Sequence, residues 1–555
     1  MRRNVAEYLV ERARAEPDRA AVHVPIRGVN PNGASDHRTI TFSQLNADSD
    51  AIAAGLHSLG VASGMRVALM VPPSPDFFSL TFALLKANAV PVMIDPGMGL
   101  KNLGTCLAEA KPEAFIGIAK AHLARRLLGW AKRSVRITVN AGRRRFFCTA
   151  SLDQCRERGR GSTWEPNDPG AEAAILFTSG STGVAKGVVY TQGMFLAQIA
   201  LLKSTYGIEP GEVDLCTFPL FALFGPALGM TCVIPDMNPS RPATIDPRKA
   251  AAQIAQFRVT NLFGSPAVIR RLGELKDGAA FGTLRRVISA GAPATAASLE
   301  RLQSLLPAGV PIFTPYGATE ALPVANIGSN EILHETRAMT DAGRGVCVGR
   351  PVEGIDVAVV GITEEPIAAW SEELKLPAGT IGEFVVSGPV VSRQYFAKPA
   401  ATALAKIADP ATGHVRHRMG DVGYLDDAGR LWFCGRKSHR VVGPDRTDFT
   451  DRVEPIFNRV PGVFRTALVG VNGHPVICVE LADGLRNGDW PAILRDLQAR
   501  AAEFEHTRHI TMFLEYPTAF PVDVRHNSKI FREKLAAWAA VALGANWAPV
   551  DNSPP

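Results

Sequence analysis

The chain has 555 residues, 46% hydrophobic and 20% charged, which suits a soluble globular protein with more than one domain. Sixty Lys and Arg against 53 Asp and Glu leave a formal charge of +7, too mild at this size to imply a nucleic-acid partner. Eight scattered cysteines without a C-x-x-C pair argue against structural zinc and for reduced thiols in a cytoplasmic protein, and the N-terminal "MRRNVAEYLVERARAEPDRA" lacks the apolar core of a signal peptide.

Leu45, Ile52, Leu56 and Leu59 fall on one face of a predicted helix that Gly60 ends. "RVALMV" then reads as a strand, "DFFSLTFALLKANA" as a helix and "VPVMID" as a strand. This alternation predicts a parallel sheet covered on both faces. Residues 121–147, "AHLARRLLGWAKRSVRITVNAGRRRFF", are locally basic and partly amphipathic. Such a run is ordinarily a solvated face; contact with a membrane surface or a partner enzyme is the sharper alternative.

Residues 175–190 read "ILFTSGSTGVAKGVVY". Between two apolar strands, Thr178, Ser179, Ser181 and Thr182 supply hydroxyls, Gly180 and Gly183 permit a tight turn, and Lys186 adds a charge. Converging N–H groups, hydroxyls and one ammonium are the equipment of a triphosphate cradle. It is not a Walker A loop, since Gly187 follows Lys186. Residues 215–235, "LCTFPLFALFGPALGMTCVIP", carry no charge and nearly match a bilayer span. Their three prolines and two glycines favour a turn and a short buried helix instead.

Further strands are expected in "RVTNLFG", "LRRVISAG" and "PIFTPYG", each ending at a small residue where ligands of such sheets bind. After Gly343, "IDVAVV", "GEFVVSG" and "GRLWFCG" predict a β-rich module, with a hairpin turn at "DDAGR". From about Ser438 a smaller mixed pattern follows: helix "RVEPIFNRV", strands "TALVGV" and "VICVEL", and a helix opening near Lys529. The expected class is α/β: a large domain over 1–437 made of α/β subdomains and a β-rich module, a hinge at Arg436–Arg440, a smaller α+β domain over 438–545 and a loose tail over 546–555.

"TSGSTGVAKG" resembles the phosphate loop of the adenylate-forming enzymes: acyl-CoA synthetases, nonribosomal adenylation domains and luciferases. In that family's order follow "AGAP" (residues 290–293), "YGATE" (316–320), "GDVGYLDDAGRLWFCGR" (420–436) and "HNSKIFREKL" around Lys529, so the resemblance covers nearly the whole chain. It implies ATP and Mg²⁺ as cofactors. Gly291, Ala292 and Pro293 would line the adenine; Tyr316, Gly317 and Ala318 would lie beside it, with Tyr316 stacked on the purine. Thr319 would bond the α-phosphate, and Glu320 with Thr178 would hold the metal. Asp421 and Arg436 would meet the ribose. Lys529, Thr319 and Glu320 would be catalytic, clamping the charge that develops as a carboxylate attacks the α-phosphorus and expels pyrophosphate. From the residues alone, Glu320 also reads as a helix-N-terminal carboxylate and Asp421 as a turn former.

Ala222 in "PLFA", His439 after "GRKS" and the "NSK" before the catalytic lysine depart from the common acyl-CoA synthetase pattern. The wording "FPLFALFGPALGM", "GRKSHRV" and "RHNSKIFREKLAAWA" is similar to the β-lactone synthetases of bacterial long-chain olefin biosynthesis. That branch implies a 2-alkyl-3-hydroxy fatty acid as substrate, its own hydroxyl as second nucleophile, and a multienzyme assembly of olefin-pathway enzymes. A long-chain acyl-CoA or acyl-AMP ligase, or an inactive homologue serving as scaffold, are the competing expectations. Residues 219–225 and 263–266 are candidate walls for the alkyl chains.

Overall fold

The computed structural model describes residues 4–26, 36–145, 147–161, 169–178, 185–218, 223–482, 484–485, 489–522, 530–544 and 547. The first long helix, Phe42–Ser58, starts at a capping box: the Thr41 hydroxyl accepts from the Gln44 N–H while the Gln44 side chain accepts from the Thr41 N–H. Leu45, Ile52 and Leu56 of its apolar stripe are fully buried. The next helix, Pro75–Lys86, is capped by Ser74 and has proline in its first turn.

These helices cover a seven-stranded sheet ordered Ala150–Ser151, Ile137–Asn140, Ala114–Gly117, Arg66–Met70, Val90–Ile94, Glu172–Thr178 and Lys186–Thr191. All its pairs are parallel except the last, an antiparallel pair. The expected α/β alternation is thus present, and the phosphate-loop sequence connects the two strands of that one antiparallel pair.

A second sheet, fourteen-stranded among the described residues, runs from Asp356–Val360 at one edge to His37–Thr41 at the other. Its parallel centre contains Val213–Cys216, Asn261–Gly264, Arg286–Ser289 and Ile312–Ala318. From there Ala321–Gly328, Val346–Pro351, Leu431–Arg436, His414–Leu425 and Gly382–Ser387 continue it antiparallel. The β-rich region expected after Gly343 is therefore no separate sheet: Val346–Pro351 bonds to Ala321–Gly328 and joins the two parts. The uncharged residues 215–235 hold a strand end, the short helix Phe224–Leu228 and the strand Thr231–Val233. No helix among the described residues is long and apolar enough to cross a membrane.

Beyond residue 440, Val463–Val471 and His474–Leu481 pair antiparallel, and Phe513–Glu515 adds a parallel third strand. One face of this small sheet packs on the Thr450–Phe457 and Trp490–Ala502 helices, with Val453, Phe457, Ile477 and Leu497 buried. The other packs on the Arg532–Leu543 helix through Leu535 and Ala539. That helix begins three residues later than expected. Ile530 forms a bridge with Val522 ahead of it, and Lys529 lies outside the described residues. Arg452 Nε donates to the Gly343 carbonyl at 3.0 Å and Arg459 pairs with Asp341 at 2.7 Å, tying the Thr450–Phe457 helix and the turn after it to the Arg337–Asp341 helix and the turn that follows.

Candidate active site

The strands Glu172–Thr178 and Lys186–Thr191 place Thr178 directly opposite Lys186, so the two flanks of the expected phosphate loop meet. Gly187 is required there: a Cβ would stand 2.9 Å from the Phe177 ring. Ser179, Gly180, Ser181, Thr182 and Gly183 lie outside the described residues, as does Lys529. Also outside are Pro219, Leu220, Phe221 and Ala222 of the proposed alkyl wall, with Asn527, Ser528 and His526. Phe224 and Phe263 are described and line a small internal cavity with Leu202, Leu228, Met230 and Ile288.

Residues 316–320 run off the end of Ile312–Ala318 into a tight turn before Ala321–Gly328. Gly317 serves this turn, because a Cβ would come within 2.8 Å of the Ala321 carbonyl. Glu320 sits in the turn itself and not at a helix N-terminus, which overturns that reading of it. Its backbone C=O accepts from the Ser392 N–H at 2.8 Å, and the Thr319 C=O accepts from the Tyr190 hydroxyl. The backbone at the signature is thereby tied to two other elements.

The Glu320 carboxylate meets Tyr395 and feels Lys406, neither of which the sequence reading singled out. Tyr395 Oη donates to Glu320 Oε1 at 2.6 Å. Lys186 Nζ lies 5.0 Å and Lys406 Nζ 5.8 Å from the centre of the same tyrosine ring. Lys406 is buried and donates to Ser392 Oγ at 2.9 Å. Burial pushes its ammonium down to about 7, with the Glu320 charge acting against the shift. His417 beside it is held well below the usual histidine range, first by burial and then by the Lys406 charge. Two lysines, a tyrosine and a carboxylate, drawn from four separate segments, thus surround one point. A lone cation in "ATALAKIAD" was the sole trace of Lys406 in the sequence.

A second cluster unites three of the expected residues. Tyr316 Oη donates to Asp421 Oδ2 at 2.6 Å, and Arg436 Nη1 stands 2.8 Å from Asp421 Oδ1. Asp421 is no turn former: it lies mid-strand in His414–Leu425, opposite Arg436 in register, and is 2% exposed. Burial raises its carboxyl pKa, while Arg436 and the Tyr316 hydroxyl pull it back. Arg436 keeps 41% of its side chain exposed and also feels Asp451 of the Thr450–Phe457 helix. The Tyr316 ring has Phe384 at 6.0 Å and Phe433 at 6.3 Å. Gly291, at φ +100°, turns the chain after Arg286–Ser289, so residues 291–293 follow the tip of the neighbouring strand; Gly291 and Pro293 are exposed.

These donors fit a nucleotide. Asp421 Oδ1 has no hydrogen-bond donor among the described residues despite its near neighbour Arg436, leaving an acceptor for a ribose hydroxyl. Glu320 has one oxygen taken by Tyr395 and is a hard carboxylate, the kind that binds Mg²⁺ jointly with substrate phosphates. Among the described residues no three His, Cys, Asp or Glu converge as a dedicated metal cage.

Fold and site together define an adenylate-forming enzyme. The family model described as AMP-binding enzyme matches residues 9–396, and the chain belongs to that family, whose members use ATP. It is 50% identical over 551 residues to an olefin beta-lactone synthetase of Stenotrophomonas maltophilia, covering 97% of this chain and 98% of that one. To an olefin beta-lactone synthetase of Xanthomonas campestris it is 49% identical over 549 residues, covering 97% of each. Among solved structures, the amide bond synthetase McbA of Marinactinospora thermotolerans superposes with TM-score 0.76 at 21% identity, over 96% of this chain and 99% of that one. That last likeness speaks to the fold alone.

Proposed function

We propose that this enzyme converts a 2-alkyl-3-hydroxy fatty acid to a β-lactone at the expense of ATP. The observation that carries the reading is identity near 50% along 97% of the chain to two olefin beta-lactone synthetases. In the first step a carboxylate oxygen attacks the α-phosphorus, forming the acyl-adenylate and releasing pyrophosphate. In the second the 3-hydroxyl oxygen attacks the activated carbonyl carbon; the C–O bond to AMP breaks, and AMP and the hydroxyl proton leave. The internal nucleophile sits at high effective molarity and needs no second substrate site.

In this reading Asp421 and Arg436 orient the ribose, and Tyr316 both holds Asp421 and stacks on the purine. Gly291, Ala292 and Pro293 border the adenine. Thr319, Lys186 and the loop 178–183 grip the phosphates. Lys529 reaches the α-phosphate from the smaller lobe, which turns about a hinge at 436–440 and shuts water away from the mixed anhydride. Glu320, with Thr178, would hold Mg²⁺, which supplies charge neutralisation at the phosphate oxygens when bound. Tyr395 fixes the Glu320 carboxylate by its hydrogen bond. In this reading the enzyme works in the cytoplasm, in a multienzyme assembly with other olefin-pathway enzymes.

Incubation of the purified enzyme with a racemic 2-alkyl-3-hydroxy acid, ATP and Mg²⁺ should give a β-lactone and AMP without CoA. AMP release that depends on added CoA would turn the reading to an acyl-CoA ligase. Absence of pyrophosphate exchange with every acid tried would turn it to a scaffold.

A further inference from the structure

From Ala119 to Cys148 the chain holds nine Lys and Arg and no Asp or Glu. The helix Ala119–Leu128 and residues 141–145 and 147–148 flank the strand Ile137–Asn140, near one edge of the seven-stranded sheet. Lys120, Arg126, Lys132, Arg133, Arg136 and Arg143 are among the exposed cations here. No ion pair engages any of the nine among the described residues, although such pairs are numerous elsewhere; the nearby Glu113 pairs with Arg66.

Apolar side chains stand among these charges. Leu123 is 51% exposed, Leu127 77%, Leu128 52% and Phe147 80%. Leu123 and Leu127 are one helical turn apart, on the same face as Lys120. Phe147 has φ +58°, an uncommon conformation for an aromatic residue, and the Arg126 guanidinium lies 5.3 Å from its ring centre. Two elements therefore contribute large exposed hydrophobes to a surface that is cationic throughout.

The nucleotide does not account for this face. Four strand spacings, about 19 Å, separate Ile137–Asn140 from Glu172–Thr178, where the phosphate hairpin begins. A nucleic-acid backbone would use the cations and leave the four hydrophobes in water. A bilayer surface uses both, because apolar side chains enter the acyl boundary while Lys and Arg meet anionic headgroups.

We propose that the Ala119–Leu128 helix and loop residues 141–145 and 147–148 form a docking surface for an anionic lipid bilayer. The surface stands on charge and exposure alone; its consequence, that a two-chain acid is collected at the membrane, rests on the function proposed above.

The test is flotation of the full-length enzyme with vesicles of phosphatidylglycerol and phosphatidylcholine in equal parts, and with phosphatidylcholine alone. The enzyme should float with the anionic vesicles at low salt and be largely released at about 1 M salt, where the Debye length is about 3 Å. Leu127→Asp and the pair Arg143→Glu with Arg144→Glu should each lower partitioning by roughly tenfold or more. Val541→Asp, a change at an 83% exposed residue of the smaller lobe, should leave it unaltered. All variants should keep the parent's circular dichroism, and pyrophosphate exchange with a short soluble acid should stay within about twofold. Failure to float at low salt, or flotation indifferent to Leu127→Asp, overturns the proposal. So does DNA retention that the leucine change leaves intact while vesicles are not bound. Because flotation needs no turnover, its failure and the failure of the proposed reaction are separable.

Discussion

In the seven-stranded sheet, Arg66–Met70, Val90–Ile94 and Ala114–Gly117 are largely apolar runs, with Val67, Ala68, Val92, Phe115 and Ile116 at most 1% exposed. In the antiparallel half of the larger sheet, the single strand His414–Leu425 places Arg416, His417, Arg418 and Asp421 in the interior. Each finds a partner: Arg418 with Glu383 at 2.6 Å, Arg416 with Asp409 at 2.9 Å, Asp421 with Arg436, and His417 with the Ala405 carbonyl. The first sheet is held mainly by burial, with Arg66, Glu172 and Lys186 the charged side chains of its strands. The second builds polar groups into the sheet, where neighbouring strands hold them in place. Buried pairs of this kind add little net stability, yet breaking one is costly. The antiparallel half is therefore where single substitutions should do most damage.

Removal of Asp421 should have the largest effect on activity. Asp421→Ala takes away the ribose acceptor and the partner of both Tyr316 and Arg436, so pyrophosphate exchange should fall by about 10²–10³ with the fold retained by circular dichroism. Exchange within threefold of the parent would deny Asp421 its place in the site.

Stability should separate the two sheets next. Arg418→Met leaves Glu383, 2% exposed, without its main counter-charge and should cost about 3–5 kcal/mol in urea unfolding. Arg66→Met removes the half-exposed pair with Glu113 and should cost about 0–1 kcal/mol. Equal losses would erase the contrast drawn above.

The smallest expected effect concerns Lys406. Its folded pKa, about 7, lies below the ordinary lysine value. Between pH 7 and that ordinary value the unfolded chain binds the extra proton, so this residue's contribution to stability rises with pH across the window. The difference in Tm between Lys406→Met and the parent should therefore shift in the parent's favour, by about 1–2 °C, from pH 7 to pH 9. A difference independent of pH would show that Lys406 stays protonated in the folded as in the unfolded chain across this window.

The parallel strands, the two strands on either side of residues 179–184, the small residues at strand tips and the assignment of Tyr316, Asp421 and Arg436 to one nucleotide were legible because each rests on local pattern or on the family resemblance. Less visible was everything that needs two distant segments. Tyr395 and Lys406 carry no local signal, and they matter because the sheet brings them to Glu320 and Lys186. The last helix, expected to open near Lys529, is described from Arg532, and Ile530 just before it is drawn into a bridge with Val522.

By itself, then, the order of residues determined which stretches are strands and helices, and which carry donors suited to phosphate and ribose. These follow from side-chain period, backbone freedom at glycine and the chemistry of hydroxyls, amines and carboxylates. Only the tertiary structure decided that the β-rich region extends the parallel sheet, that Asp421 is buried between Tyr316 and Arg436, and that Phe147 stands against Arg126 of the preceding helix, beside Leu123. The physical reason is common to all three: charge and burial depend on what packs alongside, and those neighbours lie far away along the chain.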